Sequence, residues 1–587
     1  MEEIESAPPF SLKDEPLENQ RPLKVRVIGA GYSGIYLGIR IPQRLRNIDL
    51  QIYEKNDGLG GTWWVNRYPG CACDVPSHSY QYSFEPNPDW SNFYAPQAEI
   101  CAYLDRVADK YGVKRFVKLQ HEVVSCEWDV LSQKWNMNIR RLDTGEEFAD
   151  DAHVLISAKG NLSDPAWPDI PGLDTFGGEI MHSAKWKEGY DFKNKNIGVI
   201  GNGSSAIQIV PQLQKIEGTQ LSCFVRSKTW ITNPFGDVVM QKLGLDPQNL
   251  EFSKEQRKEF ATQPEKLFAF RKAIEEDGNT IHAVSIRDSS MQRTAIEIFR
   301  AAMKHRLSGK PEIADFLIPS FAIGCRRTTP GPGYLEALVE SNVDFITDPI
   351  LEVNKDGVTL KNGRKVSLDC LVCATGFNAS AAPRFHITGI DHVSLKERFT
   401  PYPEAYLSLT VDGFPNFFMM LGPNSAIGSG SLTMILESEG DYITKCIRKL
   451  QKEDYASMCI KKSRVSDWSE YCQTYFKDTV YTDQCNSWYK SEGGKGDNIT
   501  GLWPGSTLHA LEALRSPRWE DYEWKSVASS NNRMRWLGNG WSLTHTKVSH
   551  DGYGGDPAWY LDPRFQNVPV AGFPEDDAEF KQRPFSQ

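Results

Sequence analysis

Two stretches of this chain carry the same hydrophobic pattern. Val25-Arg26-Val27-Ile28 is a short apolar run that breaks into Gly29-Ala30-Gly31, and Ile197-Gly198-Val199-Ile200 breaks in the same way into Gly201-Asn202-Gly203. An amphipathic segment comes after each. A buried strand that ends in a glycine turn and passes into a helix is the opening of a βαβ unit. Between residues 238 and 315 the texture changes. Lys, Glu, Gln, Ala and Phe recur there at helical spacing, as in Phe260, Leu267, Phe270 and Ala273, which predicts a helical insertion in the second unit. Asp369 to Phe377 reads as another buried strand and turn, and a helix is expected near residues 432–452. The fold class is therefore α/β, with two Rossmann-like dinucleotide-binding domains and a helical insertion in the second. The expected organisation is a flexible arm over 1–22, a first domain from 23–186 and 369–520, a second from 187–237 and 316–368, the insertion over 238–315, and a wrapping extension over 521–587. No internal repeat is evident.

The two glycine turns differ in the charge of the residue that ends the next strand. Gly29-Ala30-Gly31-Tyr32-Ser33-Gly34 has the G-x-G-x-x-G spacing, and the next apolar run, Asp49 to Tyr53, ends in Glu54, 20 residues beyond Gly34. Glycine lets the backbone approach a pyrophosphate at a helix N-terminus, and the acid can accept hydrogen bonds from ribose hydroxyls. That suits FAD or NAD. Gly201-Asn202-Gly203-Ser204-Ser205-Ala206 repeats the pattern, but its next strand, Leu221 to Val225, ends in Arg226, 20 residues after Ala206. A guanidinium grips a 2′-phosphate that a carboxylate would repel, and Ser227 can add a hydroxyl. FAD is thus assigned to the first turn and NADPH to the second.

Composition narrows the class without changing it. At 587 residues the chain exceeds a single core, and 40% hydrophobic with 24% charged residues is ordinary for a globular enzyme. A net charge of −10 argues against nucleic acid or an anionic membrane as partner, and no apolar stretch approaches the ~20 residues of a membrane span. With no apolar signal core at the N-terminus, the chain is expected to be cytoplasmic, a monomer or weak homo-oligomer. The 12 scattered cysteines suggest neither a disulfide framework nor a metal site.

Three further segments choose among flavoenzymes. The first, Gly60-Gly61-Thr62-Trp63-Trp64 leading through Tyr68-Pro69-Gly70 to Asp74, resembles the long fingerprint of type I Baeyer–Villiger monooxygenases. The second, Phe176 to Lys187, matches Phe-x-Gly-x-x-x-His-x-x-x-Trp through Phe176, Gly178, His182 and Trp186, with Lys187 where the family usually has Pro or Asp. The third is Arg326-Arg327. The resemblance spans about residues 23–545 and is nearest to fungal-type members. It implies that Arg327 is catalytic, that Arg326 reaches the NADP, and that Trp488 folds over it. It also implies flavin-side contacts from Tyr80 and Gln97, and it adds Gly61, Thr62, Trp63 and Val123 to the cofactor-binding residues. The linker of His182 affects domain rotation and cofactor binding in such enzymes and is not expected to supply a base.

The implied reaction inserts one atom of O2 beside a ketone carbonyl to give an ester or lactone, through a flavin C4a-peroxide. The peroxide must be kept deprotonated to attack a carbonyl, and a fixed cation does this. Arg327 suits the role because arginine stays charged, and Asp74 is its expected counter-ion. Two alternatives stand beside this reading. One is a nitrogen- or sulfur-oxidising flavin monooxygenase, which Lys187 favours. The other is a dithiol reductase using Cys71 and Cys73.

Overall fold

The computed structural model describes residues 10–17, 20–232, 237–242, 249–378, 382–527 and 532–542, together with Ala558 and Leu561. Two five-stranded parallel sheets organise the larger of its two compact units, residues 22–450 and 456–525. In the first sheet the order is Phe417–Met419, Val154–Ser157, Leu23–Ile28, Ile48–Tyr53, Val117–Lys118. Leu23, Val25, Val27 and Ile28 are all buried, as the apolar run requires of a strand covered on both faces. The chain leaves this strand for a neighbour on one side, and a later strand pairs on the other. Such a reversal of strand order opens a crevice at the carboxyl ends of the strands, where the glycine turn lies.

The second sheet repeats the plan. Its order is Val343–Ile346, Gln220–Phe224, Asn196–Ile200, Cys370–Cys373, Glu179–His182, again all parallel. Its glycine turn leaves Asn196–Ile200 and runs into the helix Ser204–Gln214. A four-stranded sheet, His386–Thr388, His121–Asp129, Lys134–Arg141 and Glu147–Ala152, backs the first sheet. Trp128 and Trp135, with ring centroids 5.4 Å apart, join Ile28, Tyr53, Leu155 and Phe417 in one buried cluster.

Helices fill the insertion: Asp237–Lys242, Lys254–Thr262, Pro264–Thr280, Ser290–Arg306 and Pro311–Leu317. Local signals set their starts. Ser253 and Gln256 form a capping box, Ser289 caps onto the Gln292 N–H, and Pro264 opens its helix. The expected helix near 432–452 spans Leu432–Lys452.

The smaller unit joins the N-terminal residues, 451–455 and the chain from Ser526 onward. In it the Leu17 N–H donates to the Trp541 carbonyl at 2.8 Å, and Lys13 pairs with Asp454 at 3.1 Å. Most of the expected extension over 521–587 lies outside the described residues. Among the described residues no helix is long and apolar enough to cross a membrane.

Candidate active site

The first glycine turn is locked to the motif just beyond Glu54. Gly29 has φ +105° and abuts the strand end at Ala158, whose carbonyl lies 2.6 Å from where a Cβ would stand. Gly31 precedes the helix Tyr32–Arg44, and Gly34 lies in its first turn. The Gly60 N–H donates to the Ala30 carbonyl at 3.0 Å, and Gly31 and Gly61 pack backbone to backbone. Glu54 is buried beneath this turn. It accepts from the Ala30 N–H at 2.8 Å with one oxygen and from the Asn56 N–H at 2.8 Å with the other. Thr62 and Trp63 begin the short helix Thr62–Val65, and Trp63 Nε1 donates to the Tyr80 hydroxyl at 3.1 Å. Gln97 Nε2 donates to the Trp63 carbonyl. The Val123 side chain packs in the core cluster with Tyr53 and Cys126.

At the second turn Gly201 has φ +122°, while Gly203 faces open space. Ala206 is fully buried in the first turn of the helix, Ser205 is half-buried, and Ser204 Oγ lies 2.9 Å from Thr329 Oγ1. Arg226 is exposed at the end of its strand. Arg326 comes to the same place: its Nη1 donates to Ser227 Oγ at 3.2 Å and to the Lys228 carbonyl at 3.1 Å. Burial lowers the Arg326 guanidinium from its ordinary range. Exposed Arg226, Ser227 and Arg326 thus gather donors and positive charge where a nucleotide phosphate could be held, and Gly203 leaves room beside them.

Between the turns lies the ion pair expected from the motifs. Arg327 Nε donates to Asp74 Oδ2 at 2.9 Å and Nη2 to Oδ1 at 2.7 Å, a bidentate pair across 253 residues of sequence. Asp74 and burial act in opposite directions on Arg327, and Asp74 prevails, raising the guanidinium above its ordinary range. The Arg327 side chain nevertheless keeps 36% of its surface open, and Asp74 keeps 20%. The cation is therefore fixed on one edge by a carboxylate and open on another. Tyr80 and Tyr489, both in electrostatic contact with the pair, have hydroxyls that burial raises above the usual tyrosine range. Trp488 precedes Tyr489 in the loop, their ring centroids 4.7 Å apart, and its ring lies over Gly501.

One connection between the turns was not foreseen. Gln208, on the helix Ser204–Gln214, accepts from the Tyr68 hydroxyl at 2.9 Å and donates to the Ala72 carbonyl at 2.9 Å. Gly70 has φ +80°, and a Cβ there would stand 2.6 Å from the Gln208 carbonyl. The Tyr-Pro-Gly segment is thus moulded to the helix that opens the second dinucleotide fold.

The linker residues sit apart from this pair. His182 ends the strand Glu179–His182, fully buried between Trp167 and Phe377 at 5.2 and 5.9 Å, with Nδ1 accepting from the Ala184 N–H at 3.1 Å. Burial lowers its imidazole below the usual range. Gly178 is pressed against Phe176 and the Asp369 carbonyl, Trp186 packs on Phe192, and Lys187 pairs with Glu179. Lys187 therefore has a local partner in Glu179.

The cysteines depart from expectation. Cys325 and Cys485, 160 residues apart, are joined in a disulfide. Cys71 and Cys73 are free and buried, and burial pushes the Cys71 thiol up to about 12 and Cys73 well above the ordinary thiol range. Thiols held so firmly protonated are poor nucleophiles, which speaks against the dithiol-reductase reading. Among the described residues no cluster of His, Cys, Asp and Glu is arranged to hold a metal ion.

Comparison with known proteins agrees with this architecture. Residues 22–241 match the family of flavin-binding monooxygenase-like proteins. The chain is 38% identical over 525 residues to the FAD-binding monooxygenase tazF of Aspergillus terreus, covering 88% of this chain and 92% of that one. It is 34% identical over 437 residues to a Baeyer–Villiger monooxygenase of Pseudomonas aeruginosa, covering 74% and 78%. In three dimensions it matches the closed crystal structure of cyclohexanone monooxygenase with a TM-score of 0.74 at 27% identity, over 86% of this chain and all of that one. Oxidized steroid monooxygenase bound to NADP matches with a TM-score of 0.70 at 29% identity over the same shares. Two parallel dinucleotide-type sheets, a bidentate arginine–aspartate pair between their glycine turns, and near full-length similarity lead to one conclusion: the chain belongs to the flavin-binding monooxygenases, in the branch that includes the Baeyer–Villiger monooxygenases.

Proposed function

We propose that this protein uses FAD, NADPH and O2 to insert an oxygen atom beside a ketone carbonyl, giving an ester or lactone. Bound FAD, reduced by NADPH, would supply the electrons that activate O2. In this reading residues 23–186 and 369–520 hold FAD through Gly29, Gly31, Gly34, Glu54, Gly61, Thr62 and Trp63. Residues 187–237 and 316–368 hold NADPH through Gly201, Gly203, Ser204, Ser205, Arg226, Ser227 and Arg326, with Trp488 covering it.

The observation that carries the reading is the Asp74–Arg327 pair. A negatively charged peroxide oxygen attacks an unactivated carbonyl far more readily than its protonated form, and the carbonyl oxygen itself gains charge as the new bond forms. A permanent cation aimed at that place lowers the energy of both charges, most effectively where little water competes. Asp74 occupies Nε and one N–H of Nη2 and Tyr489 also contacts the guanidinium, while 36% of the side chain stays open. A heteroatom oxygenase works with the protonated, electrophilic form and gains nothing from such a cation.

The test uses the purified protein. It should carry a yellow flavin and consume NADPH when offered linear, cyclic and polycyclic ketones under labelled O2, with label recovered in the ester or lactone. Turnover without O2, or label only in amine or sulfide oxides, would overturn the reading. Arg327→Ala should keep flavin reduction by NADPH and lose ester formation.

A further inference from the structure

We infer that the Cys325–Cys485 disulfide is a reducible control site, whose state sets how firmly the turn bearing Arg326 and Arg327 is tied to the loop bearing Trp488 and Tyr489. This inference rests on the roles proposed above for those residues.

The placement is specific. Cys325 lies one residue before Arg326 and two before Arg327, and Cys485 lies three before Trp488 and four before Tyr489. The bond joins two segments 160 residues apart. No other covalent link exists between them, because the remaining ten cysteines are free. Cys325 is fully buried and Cys485 half-buried, so reagents in water approach the bond from the Cys485 side.

A polar hub lies beside the bond. Asp483 accepts from Arg287 Nη1 at 2.7 Å and from the Ala322 N–H at 2.9 Å through its carboxylate. Its carbonyl accepts from Lys490 Nζ at 2.5 Å and from the Cys485 N–H at 2.8 Å. Arg287 Nη2 also donates to the Thr479 carbonyl at 3.0 Å. These bonds hold the loop near Ala322 when the disulfide is open. They reach the loop mainly at its start, at Thr479 and Asp483, and Lys490 is the one member of the hub beyond Tyr489. Beyond Asp483 the loop is bonded to the chain that follows it, the Ser487 N–H to the Gly494 carbonyl at 3.1 Å and the Thr500 N–H to the Tyr489 carbonyl at 2.9 Å, so opening the bond leaves the fold standing and removes the covalent tie between 485–489 and the turn that bears Arg327. Tyr489 lies against Arg327, so its loosening removes one wall from the cation.

The chemistry balances. A dithiol reductant, of the thioredoxin class or dithiothreitol, attacks a sulfur as its thiolate. The Cys325–Cys485 bond breaks, a mixed disulfide forms, and the second thiol resolves it. The reductant leaves as a disulfide, and the two cysteines take up two electrons and two protons. A bond of this kind in a reducing compartment is transient, so its state varies with the surroundings.

The experiment uses the full-length, FAD-loaded enzyme isolated without reductant. Thiols are counted in denaturant before and after dithiothreitol, amide exchange is followed over 479–490, and ester, NADPH consumption and hydrogen peroxide are measured together. We expect the count to rise from ten to 12, amide exchange over 485–489 to speed up roughly tenfold or more, and ester per NADPH to fall severalfold as peroxide rises. Cys485→Ser should match the reduced enzyme and ignore dithiothreitol. A count of 12 at the start, or a rise to 12 with unchanged exchange and coupling, overturns the inference. If Cys485→Ser fails to fold, the thiol and exchange measurements on the unmodified chain still decide it. If the oxidised enzyme makes no ester at all, the proposed function fails instead, while exchange still reports on the disulfide.

Discussion

Asp74→Asn removes one charge and almost no volume beside Arg327. Asp74 accepts two hydrogen bonds from the guanidinium, at 2.9 and 2.7 Å. Asparagine can accept through one oxygen, and its amide N–H groups would face the remaining donor. Hydrogen bonds to charged groups contribute about 1.5–3 kcal/mol each, and breaking a buried pair costs about 3–5 kcal/mol. The pair is not sealed: 36% of the Arg327 side chain and 20% of Asp74 remain open, and water screens what is lost. The resulting penalty is about 2–3 kcal/mol, or roughly 30- to 150-fold in any rate that depends on the aim of the guanidinium. The assay measures ester formed, NADPH consumed and hydrogen peroxide released, with NADPH-driven bleaching of the flavin followed separately. Ester formation should fall by that factor while bleaching stays within roughly threefold of the unmodified enzyme. Ester formation at the unmodified rate, at equal flavin content, would refute the assignment of Asp74 as the group that aims Arg327.

Other outcomes are expected from the same geometry. Arg226→Ala should raise KM for NADPH by roughly 10- to 100-fold and leave NADH use unchanged, because only the 2′-phosphate contact is removed; equal effects on both would contradict it. Gly70→Ala should lower Tm by several degrees, because its Cβ would stand 2.6 Å from the Gln208 carbonyl and its φ of +80° is strained for alanine. Glu439 is fully buried, with one oxygen accepting from the Leu421 N–H at 2.8 Å, and burial pushes its carboxyl from 4.5 up to about 8. The folded chain therefore keeps a proton that the unfolded chain has lost. Its contribution is full below about pH 4.5 and declines as pH rises toward 8. Glu439→Gln should flatten the fall of Tm between those values, and an unchanged slope would remove Glu439 from the account.

Much of the fold was legible because its signals are local. The apolar runs before Gly29 and Gly201, the 20-residue spacings to Glu54 and Arg226, and the helical texture of the insertion each sit within one short window. The pairing of Asp74 with Arg327 was legible only through resemblance, since nothing local joins residues 253 apart. Gln208 was missed because a glutamine on a helix reads as a solvated side chain, and only the packing of that helix on Tyr68 to Ala72 makes it a bridge. Cys325 and Cys485 were missed for a similar reason: spacing rules look for nearby pairs, and these meet only after the C-terminal loop returns to the second domain. The Val123 side chain packs into the core cluster, so any cofactor contact it makes falls to its backbone.

The seat of Gly70 against Gln208 bears on how such a protein can be rebuilt. One side of that contact belongs to the fingerprint of the first dinucleotide fold, the other to the opening helix of the second. A graft of the second fold from a relative, made to change nucleotide preference, would import a foreign residue at 208 and leave Tyr68 and the Ala72 carbonyl facing it. The exchangeable module is therefore larger than the domain that the strand pattern delimits: it is the second fold together with residues 68–72 of the first, and a chimera cut at the domain boundary would inherit a mismatch one helix away from Asp74.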